Sequence, residues 1–297
     1  MNWSEYNKNL VKRGNINLWI SEDIEKWWYI EQTRKQGRPF TYSDKAIETF
    51  LTISYLFKMP LRMTEGFLNS FFEREGLKIQ SPCYTQVSRR AASITVEEIK
   101  VARGQNINIA IDSTGVKVFG EGEWKVKIHG TSQKRTWRKL HLGVDTDSSM
   151  IIRNTLTKNS VDDASIACDM LASLEGCVGK ATGDGAYDKG KVYIAARRAG
   201  ADLVVPPARN ARQQKIIIDP AKLPRDNAIA RIRRLGGDEE ARKLWKKETG
   251  YYRRSLAETA MYRSKITFTD RLRHRKFENQ QNERPTGLKS GVSSSVV

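Results

Sequence analysis

Asn106-Ile107-Asn108-Ile109-Ala110-Ile111-Asp112-Ser113-Thr114-Gly115 is the stretch from which the fold can be read. Ile107, Ile109 and Ile111 recur with a period of two, which turns one face of an extended chain toward a core and leaves Asn108, Ala110 and Asp112 on the other. Ser113, Thr114 and Gly115 begin a turn, so Asp112 stands near the end of a strand expected over about 107–119. A carboxylate there is either a strand-end cap or a functional acid.

Further strands and helices follow in an order that fixes the class. Trp137–Asp145 alternates, with Leu140, Leu142 and Val144 directed inward and Lys139 and His141 outward. Asp145-Thr146-Asp147-Ser148-Ser149 makes a hairpin turn into a third strand from Met150. Asp162 opens a helix reaching about Leu174, and a helix from Lys189 to Ala199 is closed by Gly200. Between them a strand leads to Asp184, which Gly183 and Gly185 flank, residues that let a backbone or a phosphate approach closely. Ala201–Val205 is a short buried strand stopped by Pro206 and Pro207. Three antiparallel strands followed by crossover helices and further strands give an α/β fold, a mixed sheet flanked by helices.

A third carboxylate lies in Tyr251–Lys265. Relative to Glu258, Tyr251, Arg254, Tyr262 and Lys265 fall at offsets of −7, −4, +4 and +7. At about 100° per residue these side chains share one stripe of a helix. Such a stripe can hold a divalent cation through Glu258 while Arg254 and Lys265 grip phosphates. Its plain alternative is a solvated face with i,i+4 ion pairs.

Together, Asp112-Ser113-Thr114, Asp184-Gly185-Ala186-Tyr187 and the Tyr251-x2-Arg254-x3-Glu258-x6-Lys265 signature resemble the DDE transposases of bacterial insertion sequences, most closely the insertion-sequence-five family. The resemblance covers about residues 40 to 275. Seventy-one residues separate the aspartates and 73 separate Asp184 from Glu258, room for a compact domain with a modest insertion. The resemblance implies a ribonuclease H-like catalytic core over 105–277. It also implies a catalytic, metal-binding triad of Asp112, Asp184 and Glu258, with two Mg²⁺ (or Mn²⁺) ions per site, and DNA phosphate contacts from Tyr251, Arg254 and Lys265, with Tyr262 beside them. Three carboxylates that hold hard cations need no protein nucleophile for in-line displacement at a phosphodiester. That accords with three scattered histidines and with three cysteines, Cys83, Cys168 and Cys177, that lack zinc-type spacing.

Composition points to a polyanionic partner independently. Lys and Arg number 52 against 34 Asp and Glu, a formal net charge of +18. There is no apolar run of about 18 residues and no secretory pattern, so a cytoplasmic protein at the nucleoid, without membrane partners, is expected. Residues 1–100 read as a helical unit, with helices at about Asp44–Phe57, Thr64–Glu75 and Tyr84–Ser93, the last with Ser81-Pro82 as cap and first turn. Two readings stand for it: a helix-turn-helix-like DNA reader exposing Thr85, Gln86, Arg89 and Arg90, or a packing domain without groove contacts. Trp19, Trp27 and Trp28 read as core or docking aromatics.

Residues 208–249 form a strongly basic insertion, which Gly236-Gly237 divides into two helical pieces. It either lines a DNA channel through phosphate contacts or is a solvated linker. Lys125, Lys127, Lys134, Arg135, Arg138 and Lys139 form another basic group, beside Trp124 and Trp137 on the first hairpin; Arg138 and Lys139 are expected to bind DNA, the plain alternative being a hairpin tip charged for solubility. Residues 278–297, rich in Gln, Asn, Gly and Ser, read as a disordered or altered tail where the resembled family has a further apolar helix. The expected function is cleavage at the ends of an insertion sequence and transfer of 3′-hydroxyls into target DNA. Its partners would be double-stranded DNA, as terminal inverted repeats and target, and a second protomer, since two ends must be paired. Two alternatives stand beside it: a ribonuclease H-like nuclease without strand transfer, and an inactive DNA-binding relic.

Overall fold

The computed structural model describes residues 3–12, 23–30, 40–94, 99–118, 137–214 and 220–283. They divide into two compact units. One is built from Met1–Glu97, Lys117–Arg135 and Ser264–Val297, the other from Glu98–Val116 and Thr136–Arg263.

In the first unit, helices α1 (Trp3–Lys12) and α2 (Ile24–Trp28), for which no span was expected, precede α3 (Asp44–Leu56), α4 (Leu61–Arg74) and α5 (Tyr84–Arg90), which follow the expected spans within a few residues. Ser43 caps α3 by accepting from the Ala46 N–H at 3.0 Å. Trp28, Phe50, Leu51, Leu68, Phe72 and Val87 form its core. Trp28 meets Phe72 edge-on, at 5.2 Å between ring centroids, and donates its indole N–H to the Gln80 carbonyl at 2.7 Å, so its polar end is satisfied. Trp27 packs on the same cluster; Trp19 lies outside the described residues. The cap of α5 falls at Cys83 rather than Ser81-Pro82: Gln86 reaches back to the Cys83 N–H, while the Ser81 N–H is taken by Asn69.

The second unit holds a sheet in the order β3-β2-β1-β4-β5, with β1 Ile107–Val118, β2 Trp137–Asp145, β3 Ile151–Lys158, β4 Val178–Thr182 and β5 Asp202–Val204. β2 and β3 pair antiparallel, whereas β4 pairs parallel with both β1 and β5. Helix α6 (Asp163–Ser173) lies between β3 and β4, and α7 (Gly190–Ala199) between β4 and β5. Ile107, Ile109 and Ile111 all enter one core with Ile166, Met170, Leu171, Val192 and Tyr193, as their alternation predicts. The opposite face is not solvated, however. Ala110, Leu140 and Leu142 are buried there, while on the isoleucine face, where Gly143 abuts Ile109, His141 is buried and Lys139 is half-buried against Asp163 of α6, because a mixed sheet flanked by helices is covered on both faces.

The insertion is a packed helical hairpin, α8 (Leu223–Arg234) and α9 (Glu239–Glu248), broken at Gly236-Gly237 as expected. Ala228, Ile232, Ala241 and Trp245 pack it on Val204 of β5, so it is no solvated linker. After the αL residue Gly250 (φ 69°), which turns the chain out of α9, Tyr251–Arg254 forms a 3₁₀ turn and α10 spans Ser255–Phe268. The continuous helical stripe from Tyr251 to Lys265 is therefore interrupted: only Glu258, Tyr262 and Lys265 share an α-helix.

The end of the chain corrects a second expectation. Within the first unit, β6 (Arg271–Leu272) pairs parallel with Lys117–Val118, and residues 277–283 form a helix, α11. Phe268 enters the apolar cluster of α2–α5, Glu283 accepts from the Arg273 N–H, and Asn282 donates to the carbonyls of Ala91 and Ala92. Residues 278–283 are thus structural and not a tail. The helical unit is discontinuous in sequence, not confined to 1–100.

Candidate active site

Asp112, Asp184, Arg254 and Glu258 belong to the second unit, and its architecture brings them together. Asp112 sits halfway along β1. Its Oδ1 accepts the Ser113 N–H at 2.8 Å, and its Oδ2 accepts Arg254 Nη1 at 2.6 Å across 142 positions of sequence. The other nitrogen of the same guanidinium, Nη2, bonds Glu258 one helical turn on. One cation therefore bridges two of the three carboxylates. Burial pushes the Asp112 carboxyl above its usual range, and the negative charges of Asp184 and Glu258 add to this. The Ser113 N–H and Arg254 oppose it. The influence of both other carboxylates on Asp112 places all three within one electrostatic neighbourhood.

Asp184 follows β4 and caps a short 3₁₀ turn, Gly185–Tyr187, by accepting the Ala186 N–H at 2.8 Å. Its glycine flank has a packing reason: a Cβ on Gly183 would stand 2.8 Å from the Tyr187 ring. The buried Tyr187 hydroxyl lies near Ser113 without completing a hydrogen bond, and burial pushes its phenol far up, with Asp112, Asp163 and Asp184 adding to the shift. Burial likewise raises the Tyr251 phenol, whose ring faces the Arg254 guanidinium at 6.0 Å.

Several residues act differently from the sequence reading. Arg90 is buried, donating to the Tyr42 carbonyl and to Asp44, and its guanidinium lies over Phe40. It is a packing residue of the first unit, whereas Arg89 is exposed beside Gln86. Lys139 donates to the Val161 carbonyl and to Asp163, both at 2.9 Å, so its charge is used internally. Arg138 is half-exposed and Tyr262 exposed. Lys125, Lys127, Lys134 and Arg135 lie outside the described residues.

Arg253 and Asp188 escaped sequence reasoning, and Tyr187 entered it only as part of a motif, with no role of its own. Arg253, overlooked beside Arg254, donates to the Thr146 carbonyl at 2.8 Å and pairs with Asp147, which also accepts from Asn108 at 2.8 Å. It ties the turn carrying Tyr251 and Arg254 to the β2–β3 turn. Tyr187 and Asp188 complete the Asp184 turn. Their signal was their place in Asp184–Asp188, where a carboxylate stands at each end of a tight turn.

The donors suit a hard cation, since the set is all oxygen and two carboxylates already face one positive group. Among the described residues no three acidic, His or Cys side chains close into a ligand cluster, with the Arg254 guanidinium standing between Asp112 and Glu258. A divalent ion would be held by these carboxylates once the guanidinium moved aside.

A mixed sheet of this order, flanked by helices and carrying acids on β1, after β4 and on a late helix, is the architecture of a ribonuclease H-like DDE core. Two family profiles, each described as Transposase DDE domain, match the chain, one over residues 11–121 and the other over 104–284. The chain belongs to the DDE transposase family. It is thereby a DNA-binding transposase of the nuclease and transferase class, whose family implies divalent metal use. Among the described residues no helix is long and apolar enough to cross a membrane.

Proposed function

We propose that this transposase cuts at the ends of its own insertion sequence and joins the freed 3′-hydroxyls to target DNA, with Asp112, Asp184 and Glu258 as its catalytic, metal-holding carboxylates. The observation that carries this reading is the shared guanidinium: two acids from distant segments converge on one cation, with the third in electrostatic reach. Two Mg²⁺ ions, or Mn²⁺, would supply activation of the attacking water or 3′-hydroxyl and neutralisation of the leaving oxygen. Arg254 exchanges its carboxylate partners for a DNA phosphate, a bidentate match that a guanidinium makes well. Tyr251 orients that guanidinium from its flank, Arg253 holds their common turn, and Tyr262 and Lys265 follow along α10 toward the DNA. Arg138 and the exposed cations of α8 and α9 contact further phosphates, as does Arg89 of the first unit, and the working assembly pairs two protomers on two ends.

The test is incubation of the purified protein with labelled element-end DNA and a target plasmid, with and without Mg²⁺, beside Asp184→Asn. Metal-dependent end joining that the variant loses supports strand transfer. Cleavage without joining leaves a nuclease, and binding without cleavage leaves a DNA-binding relic.

A further inference from the structure

Asp188 ends the turn that Asp184 begins. Its side chain is only 4% exposed, yet every one of its contacts leads to a different part of the second unit. Oδ1 accepts the Tyr193 hydroxyl of α7 at 3.1 Å and Arg225 Nε of α8 at 2.7 Å. Oδ2 accepts the Ala208 N–H, where the chain leaves β5 for the insertion, at 3.0 Å. Arg225 in turn donates Nη1 to the Arg212 carbonyl at 3.1 Å. Next to it, Asp226 accepts the Gln214 N–H at 3.2 Å and the Gln214 side-chain amide at 2.9 Å. The entry and the first helix of the basic insertion are therefore clamped together, and the clamp closes on the Asp184 turn.

Stability alone is a poor reason for such a pair. Desolvating two charges offsets much of their attraction, and apolar residues of similar volume often serve as well. What a buried carboxylate with three directional donors does provide is one register and no other. Inside the turn, the Asp188 N–H bonds the Gly185 carbonyl and the Tyr187 N–H bonds the Asp184 carbonyl, so a shift of Asp188 is passed to Asp184 within four residues.

We propose that Asp188 is a positioning residue of the transposase: it fastens the basic insertion to the Asp184 turn, so that DNA held by the insertion's cations meets the catalytic carboxylates at one defined phosphate. The proposal rests on the reading that α8 and α9 contact DNA phosphates. Asp188 touches neither the DNA nor the reacting atoms; it acts through Arg225, Ala208 and the turn. A displacement of about 1 Å at a reacting centre is enough to cost on the order of 10²-fold in rate.

The experiment compares the wild type with Asp188→Asn and with Arg225→Lys, which keeps the charge and loses the planar fork. Three quantities are read: affinity for an element-end duplex over a range of salt, single-turnover cleavage at saturating DNA with Mg²⁺, and the cut position at nucleotide resolution. For Asp188→Asn, cleavage falls about 10²-fold and the cuts spread onto neighbouring phosphodiesters, while affinity and salt slope stay within about threefold of wild type. Arg225→Lys gives a smaller loss of the same kind. Undiminished cleavage at a single position would overturn the proposal, and so would a loss carried wholly by affinity. Should Asp188→Asn fail to fold, Tyr193→Phe, which removes one donor, carries the test with about a tenfold loss. A separate Arg234→Ala/Lys247→Ala variant checks the underlying reading through a salt slope shallower by about two. An unchanged slope there removes the insertion from the DNA, and with it the positioning role of Asp188, whatever the Asp188 variants do.

Discussion

Asp112 and Asp188 are both largely buried aspartates paired with an arginine, and they differ in what is left over. Asp188 spends both oxygens on three donors held by the fold, at 3.1, 2.7 and 3.0 Å. Asp112 has one backbone donor and a guanidinium that it must share with Glu258, and its carboxyl is pushed up by burial beside two further negative charges. A saturated acid has nothing to offer a ligand, whereas a crowded, under-compensated one gains from an incoming cation. The contrast separates an acid that holds the structure from the acids proposed to do the chemistry, although all of them lie in one unit and two are four residues apart.

The largest expected effect tests the chemical side. Asp112→Asn or Asp184→Asn lowers metal-dependent cleavage by about 10⁴-fold, as loss of one member of a catalytic set does, with the melting temperature within about 4 °C of wild type. A residual rate near wild type would erase the distinction. Next, Arg254→Gln lowers single-turnover cleavage by about 10²-fold and makes the salt slope of DNA binding shallower by about one. An unchanged slope would mean that the guanidinium stays on the carboxylates when DNA binds.

On the structural side, Asp188→Ala, which strands Arg225, costs about 3 kcal/mol in a denaturant titration. The same substitution at Asp112 costs less, because Arg254 keeps Glu258. Smaller again, Arg90→Met lowers the melting temperature by about 4 °C and leaves DNA affinity unchanged. Arg89→Ala does the reverse, which a gel-shift series and a thermal melt distinguish.

The smallest effect is a pH dependence. Burial holds the His141 imidazole below its ordinary value; Asp163 opposes this and Lys139 adds to it. The folded state therefore binds fewer protons at this site than the unfolded chain. Its contribution to stability is complete above the unfolded value of about 6.5 and is lost as pH falls through the lowered folded value. Melting curves at pH 7.5 and 5.5 should drop less in His141→Gln than in wild type; an equal drop would assign the acid sensitivity to other groups.

The outline of the fold was legible because it rests on local burial patterns. The period of two at Ile107–Ile111 gave β1, Asp162 and Gly200 gave helix ends, and Gly236-Gly237 gave the break between α8 and α9. The same logic misread β2, whose Lys139 and His141 look outward in an alternating pattern until α6 covers them. It also misread 278–283, a polar stretch without periodicity. That stretch is ordered by hydrogen bonds to Arg273 and to Ala91 and Ala92, partners that no window of sequence contains.

The chain by itself determined which acids carry the family signature, the order of strands and helices, and the excess of positive charge, since each of these is written in neighbouring residues or in simple sums. Tertiary structure alone decided how each charge is used. Arg254 lies 142 positions from Asp112 and yet bridges it to Glu258, Arg90 is withdrawn into packing while Arg89 stays in solvent, and Asp188 becomes a clamp where Asp184 only caps its own turn. A side chain's charge is fixed by its identity, but its partner and its desolvation depend on segments that only folding brings beside it.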